Sequence, residues 1–274
     1  MTRPASMLLA ALACTAFAAC SSVSPMEEAQ SAFDVGDYDR AIEWSTKSID
    51  EGGRGGYLLR GKSYEKKGEP LKAVADYAHA RQEMPDQGEP AFREAKCYLA
   101  AGRASDAEAA ISGAIKTRMT SYSVRDQMLA HAVHGEVQMA VGDYPRANQS
   151  FSDAIRVARI SKPLEAEAVT GIVHYNLSRT SFELGAYRKA RDSFQAYLTV
   201  QEGAGGLEEQ DVYTLAVLHF LCEDITASRK VAASLGPDAQ RRLDAILSGD
   251  TFSVGALYDQ KQKQKDQESR KESE

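Results

Sequence analysis

Between Tyr57 and Pro85, small and apolar residues recur with helical spacing in two successive runs. The segment YLLRGKSYEKKGEPLKAVADYAHARQEMP places Gly61, Tyr64, Gly68, Ala73, Tyr77, Ala80 and Pro85 at offsets 4, 7, 11, 16, 20, 23 and 28 from Tyr57. Steps of three and four residues lay one apolar stripe along each of two helices. Gly68 breaks the first run, because the end of that helix needs a positive φ that a β-carbon would penalise. Pro85 stops the second, since it lacks an N–H and restricts the residue before it. Gly61 and Ala73 are small where the two helices cross, and Tyr64 and Tyr77 fill the space beside the crossing. One such hairpin cannot bury its own apolar face, so the pattern predicts further hairpins stacked against it.

The chain supplies them. A first unit runs from about Ser22 to Gly53, with Ser24-Pro25-Met26-Glu27 as helix start, a Gly36-Asp37-Tyr38 turn, and Ala41 in the place of Ala73. A third covers about Gly88 to Met119, with Ala95, Tyr98, Gly102, Ala107, Ile111 and Ala114 in register. A fourth covers about Met128 to Ile160, with Gly135, Gly142-Asp143-Tyr144, Ala147, Phe151 and Ala154. A fifth covers about Gly171 to Glu202, with Gly185-Ala186-Tyr187, Ala190, Phe194 and Tyr197. A sixth, degenerate unit lies near Glu208 to Leu235, with Ala227 and Val231. The recurring alanine stands at 41, 73, 107, 147, 190 and 227, in steps of 32, 34, 40, 43 and 37. Extra residues around Thr117–Arg125 and Ser161–Val169 therefore lengthen helices or loops. A helix from Pro237 to Leu247 caps the stack.

Each unit closely resembles a tetratricopeptide repeat, strongly for the first five and weakly for the sixth. The resemblance covers most of the chain beyond residue 24. It implies an all-α, right-handed superhelical solenoid of five to six hairpins over residues 25–250. In this family the first helix of each repeat lines a concave face, mainly through its second, fifth, ninth, twelfth and thirteenth positions. With Arg54, Gly88, Met128 and Gly171 as first positions, the resemblance implies a peptide-binding face. Its residues are Leu58, Lys62, Glu65 and Lys66, then Phe92, Lys96 and Leu99, then Glu136 and Met139, then Tyr175, Arg179 and Phe182. Apolar anchors mixed with Lys and Arg suit an extended or helical peptide carrying acidic groups. The asparagines of the two-carboxylate clamp are missing, so a chaperone C-terminus is disfavoured.

The first twenty residues, MTRPASMLLAALACTAFAAC, have a different character. Arg3 opens the segment, Met7 to Ala19 are apolar, and Ala18-Ala19-Cys20 forms a small-residue cleavage site. The apolar run is too short to span a bilayer. The segment resembles a bacterial lipoprotein signal with Cys20 as the lipidated residue, although Phe17 stands where that family prefers Leu. Cys14 is the rival site but leaves a shorter apolar stretch. In Gram-negative lipoproteins, Ser21 after the cysteine implies an outer-membrane anchor facing the periplasm. Residues 1–19 then form the signal and 20–24 a tether reaching roughly 15 Å at most.

Composition narrows the function more than it names it. The chain has 274 residues, 43% hydrophobic and 26% charged, with net charge −6. That balance disfavours nucleic acid as the main partner. Cys97 and Cys222 fall in different repeats, too far apart for a disulfide, and read as small packing residues. His131 and His134 lie three apart near Glu136, without the spacing of a zinc helix or a third ligand, and read as surface and interface residues. His79, His174 and His219 are isolated. No catalytic motif, cofactor loop or metal set is present in the sequence, and no small-molecule substrate is implied. Residues 251–274 form a polar tail that is expected to be disordered. From Asp259 it holds five positive and five negative side chains and no apolar residue. The expected role is a non-catalytic adaptor, lipid-anchored in the bacterial envelope and scaffolding a pilus, secretion or outer-membrane assembly complex. Pilus pilotins and accessory lipoproteins of outer-membrane protein insertion are similar in fold and anchor. The alternative is a recruiter or regulator of periplasmic cell-wall hydrolases or proteases.

Overall fold

The computed structural model describes residues 23–159, 163–204 and 208–247, without the side chains of 117–118, 163–169, 204 and 246–247. Cys20 with its export segment and the tail from Asp259 lie outside the described residues. Within them the chain forms thirteen α-helices and no strand.

Twelve of the helices pair into six hairpins. These are α1 Pro25–Asp34 with α2 Tyr38–Asp50, and α3 Gly56–Lys66 with α4 Pro70–Glu83. Next come α5 Glu89–Ala100 with α6 Ala104–Arg118, and α7 Val124–Ala140 with α8 Tyr144–Ala158. Then follow α9 Pro163–Glu183 with α10 Tyr187–Ala204, and α11 Glu209–Leu221 with α12 Ile225–Ala233. The last helix, α13, spans Pro237–Leu247. Every helix packs on the one before and the one after it, which is the wiring of a solenoid. No helix among the described residues is long and apolar enough to cross a membrane.

Local chemistry sets the ends of these helices. Ser24 and Glu27 form the expected capping box around Pro25: the Glu27 carboxylate accepts from the Ser24 N–H at 2.8 Å. Five of the six hairpin turns place a glycine in the left-handed region, at φ 69° to 81°. Asp37 and Asp143 then cap the second helix, each accepting from the N–H three residues on.

The crossings are filled as the spacing predicts. Gly61 faces Tyr77, and a β-carbon there would lie 2.8 Å from the ring. Gly135 faces Phe151 in the same way, at 2.7 Å. Ala41, Ala73, Ala107, Ala147 and Ala190 are all fully buried. The core is divided into successive patches, around Tyr77, then Ile111, then Phe151, then a larger one that includes Phe194, Tyr197 and Tyr213. Leu243 and Ala239 of α13 close that last patch, as expected of a capping helix.

The sixth hairpin corrects the expected register by one residue. Its turn is made by Glu223, the one non-glycine with positive φ among the described residues, at φ 64°. Asp224 then caps α12, as Asp37 and Asp143 cap theirs. Four residues past that cap comes Ser228, fully buried, where the other repeats carry alanine. Its Oγ donates to the Ala216 carbonyl at 2.7 Å across the crossing. Ala227 is only half-buried, and Ala232 rather than Val231 sits in the core. A side chain in the left-handed region is strained, so Glu223→Gly is expected to stabilise the chain by about 0.5–1 kcal/mol. Chemical denaturation checks this; a loss of stability would show that the turn is not strained.

The extra residues between repeats take two forms. A 3-10 turn, Met119–Ser121, follows α6, and α7 begins at Val124 with Ser123 as its cap. Before repeat five they extend the helix: α9 begins at Pro163 rather than near Gly171.

Candidate functional site

A groove of about 330 Å³ crosses three successive first helices, α3, α5 and α7. Half-buried Leu129, backed by the buried Phe92 and Val133, provides its apolar floor, and Glu65, Glu89, Arg93, Lys96, Arg125 and Asp126 its charged part. The first helices lie side by side here because each repeat repeats the same crossing. Residues at one helical position therefore recur on one face.

The charges form a ladder between repeats. Lys62 of α3 pairs with Glu89 of α5 at 2.8 Å. Glu65 of α3 accepts from Arg93 of α5 at 2.9 Å and from the Tyr77 hydroxyl at 2.6 Å. Arg93 also donates to Glu89 at 2.8 Å, one turn away on its own helix. Lys96 of α5 stands 3.7 Å from Glu136 of α7. These contacts set the protonation of the group. Burial opposes the charge on both Arg93 and Glu89. The neighbouring opposite charges outweigh it, holding Arg93 above the usual guanidinium range and Glu89 below the usual carboxylate range. Tyr77 is pushed up by burial and then by Glu65, so it donates and does not ionise.

The sequence-derived residues fall into three groups. Lys62, Glu65, Lys96 and Glu136 belong to the ladder. Lys66 is exposed and has no ion pair among the described residues. Phe92 is buried, edge-on to Tyr122 with ring centroids 5.9 Å apart, and Tyr175 is buried against Tyr197 at 5.4 Å. Both hold the core more than they face a ligand. Leu58, Leu99 and Met139 are half-buried at the edges of core patches. Phe182 packs at 5.7 Å on Tyr187, across the α9–α10 turn. Arg179, on α9 with Tyr175 and Phe182, is half-exposed, and none of the three lines the groove.

Arg93, Glu89, Arg125, Asp126 and Leu129 escaped the sequence reading as site residues. Arg93 lies one position past Phe92, outside the family's usual set. Arg125 and Asp126 belong to an extra first turn of α7, which begins four residues before the assumed first position, Met128. The signal for that turn was present in Ser123, whose Oγ caps Asp126.

Two other features bear on chemistry. His134 joins three helices: its Nε2 lies 3.2 Å from Glu108 and 3.3 Å from Ser112 of α6, and its Nδ1 lies 3.2 Å from Ser150 of α8. It is an interface residue, tying repeats three and four. Cys97 is buried, and burial pushes its thiol up to about 12, so it is no nucleophile at neutral pH. Cys97 and Cys222 are both free.

Family models of the tetratricopeptide repeat match residues 66–121 and 133–206. The stretches they match are tetratricopeptide repeats, and the remaining hairpins repeat the same turn and crossing. Solved structures share the fold over most of the chain. Pseudomonas aeruginosa PilF superposes with a TM-score of 0.60 at 14% identity, over 81% of this chain and 95% of that one. PilW, a widely conserved type IV pilus biogenesis factor, superposes at 0.58 with 15% identity, over 80% and 96%. A tetratricopeptide-repeat protein from Parabacteroides merdae superposes at 0.53 with 16% identity, over 86% and 90%. At these identities the likeness is one of fold. No curated protein sequence matches the chain.

Proposed function

We propose that this tetratricopeptide-repeat protein is a non-catalytic interaction adaptor, anchored by lipid on Cys20 at the periplasmic side of the outer membrane. It scaffolds a pilus, secretion or outer-membrane assembly complex. The observation that carries the binding role is the groove across α3, α5 and α7. It combines apolar residues with a charged rim on consecutive repeats, which suits a peptide laid along the array. Arg125 in the rim carries no ion pair among the described residues and Lys96 only a loose one, and exposed Lys66 lies beside Glu65 on α3, so cations are available to acidic groups there, with Asp126 as the unpaired acidic member of the rim. The anchor rests on the small-residue site before Cys20. The choice of complex rests on the fold shared with PilF and with PilW, a type IV pilus biogenesis factor.

A fractionation and crosslinking pull-down from native membranes tests this, comparing the intact chain with Cys20→Ala. The intact chain is expected in the outer-membrane fraction, recovering pilus, secretion or barrel-assembly proteins. Cys20→Ala is expected to become soluble and lose them. A variant that stays in the membrane would remove the anchor. A peptidase recovered equally with both forms would replace the scaffold by a soluble enzyme regulator.

A further inference from the structure

The six hairpin turns lie along one edge of the array, because successive helices reverse direction. Large apolar side chains gather there: Val35, Leu71, Val141, Leu184, Tyr187 and Ile225 are all exposed at or beside a turn. Turn five joins α9 to α10, and turn six joins α11 to α12. Leu184 and Tyr187 at turn five are 44% and 37% exposed, and Ile225 at turn six 46%. Between these two turns lies a groove of about 510 Å³, lined by Gly185, Ala186, Tyr187, Arg188 and Lys189 on one side and by Leu221, Cys222 and Glu223 on the other. Its apolar lining reaches the surface: Ala186 and Tyr187 are exposed, and Leu221 and Cys222 half-buried.

The end of the described chain lies beside this groove. α12 reverses the chain over short connections, so α11 and α13 run the same way. The Arg242 guanidinium of α13 stacks on the Tyr213 ring of α11 at 4.4 Å, which sets their relative height. From that contact α11 rises about 12 Å to Leu221, and α13 about 7.5 Å to Leu247. The chain therefore leaves α13 on the turn edge, one helix past turn six. After Leu247 the sequence runs SGDTFSVGALY and then becomes wholly polar from Asp259. Phe252, Val254, Leu257 and Tyr258 are its last large apolar residues. From Leu247 the chain can span about 17 Å to Phe252 and about 38 Å to Tyr258. Packed helices stand about 8–10 Å apart, so turn six is in reach of Phe252 and turn five in reach of Tyr258.

We propose that residues 252–258 of this chain turn back along its own hairpin-turn edge and occupy the groove between turns five and six, with Phe252 and Leu257 against Tyr187 and Leu221. The tether favours this occupant over a separate molecule. A short linker holds a segment at an effective concentration of about 1 mM, so a contact as weak as about 0.1 mM keeps the groove roughly nine-tenths filled. Charge fits as well. Asp250 and Asp259 bracket the apolar run, and Arg188 in the lining is exposed with no carboxylate partner among the described residues. Glu223 is the acidic member of the lining, and Lys261 follows Asp259 by two residues. Lys189 is already held by Asn148 at 2.6 Å and Ser152 at 3.1 Å, and adds little to the match. The contact covers apolar surface at the C-terminal end of the array and brings the charged stretch from Asp259 onto that edge. It shares no lining residue with the first-helix groove and stands apart from the adaptor role argued there.

Cys222 lines the groove and is half-buried, so its accessibility reports occupancy. The full chain in detergent is labelled with a maleimide, and the rates at Cys222 and at buried Cys97 are read by peptide mass spectrometry. Phe252→Asp with Leu257→Asp is expected to raise the Cys222 rate about tenfold and to leave the Cys97 rate unchanged, since the folded repeats are untouched. Arg188→Glu, which opposes the flanking aspartates, is expected to raise the Cys222 rate about threefold. Under mild oxidation, Ser253→Cys is expected to form a disulfide with Cys222 within one chain. A Cys222 rate indifferent to the double substitution would overturn the proposal. A disulfide formed between chains instead of within one would also overturn it and assign the groove to a second copy.

Discussion

Phe151→Ala is expected to lower the unfolding free energy by about 3–5 kcal/mol, the largest single loss we anticipate in this chain. The ring is fully buried in the patch that joins repeats four and five, with Met128, Val173 and Leu177. Its faces are shaped by Gly135, where a β-carbon would stand 2.7 Å from two ring atoms and 2.9 Å from a third. Ring and glycine are one fitted unit. Gly135→Ala alone is therefore expected to cost about 1–3 kcal/mol through overpacking. In a Phe151→Leu background the same change should cost less, because the smaller side chain leaves room. Urea denaturation of the four chains gives the coupling directly. Additive losses would show that the two residues do not define the crossing.

Reversing Lys62, Lys66 and Lys96 to glutamate is expected to abolish most partner capture at the first-helix groove while sparing the fold. Exposed or half-exposed charge pairs contribute little to stability, about 0–1 kcal/mol each. Lys62 gives up its pair with Glu89 and meets a like charge instead, but Glu89 keeps Arg93. Binding responds differently, since all three lysines lie along one face. Three reversals opposite an acidic ligand sum to about 2–3 kcal/mol, roughly 30- to 140-fold in affinity. Thermal melting and crosslinked capture from membranes, read on the same preparations, separate the two effects. Undiminished capture with an unchanged melt would move the partner off this face.

Much of the fold could be read from spacing alone, because turn chemistry and crossing size repeat. A glycine five residues before Ala41, Ala73 or Ala147 announces the turn, and Asp37 and Asp143 announce the cap. Glu223 breaks that rule, and the register shifts by one residue at Ala227 because Ser228 stands where the other repeats carry alanine. Helix lengths were less legible. Nothing in Ser161–Val169 distinguishes an extended helix from a loop by period alone, and α9 takes the former course. The groove was legible only in part. Lys62, Glu65 and Lys96 sit where the repeat places them, but which carboxylate each one meets depends on helix-to-helix distance. Phe92 and Tyr175 share a face with those residues and yet turn inward. The sequence marks the face of a helix but not the depth of each side chain.

The cross-repeat ladder has a consequence for how the array breathes. Nearest-neighbour packing lets a solenoid open piecemeal, repeat by repeat, from its ends. Lys62–Glu89, Glu65–Arg93 and Lys96–Glu136 fasten three consecutive first helices along the surface a partner would cover. A peptide seated there adds its own contacts to all three helices. Binding thereby merges three loosely coupled segments into one cooperative block, and the protein becomes stiffest where it is occupied.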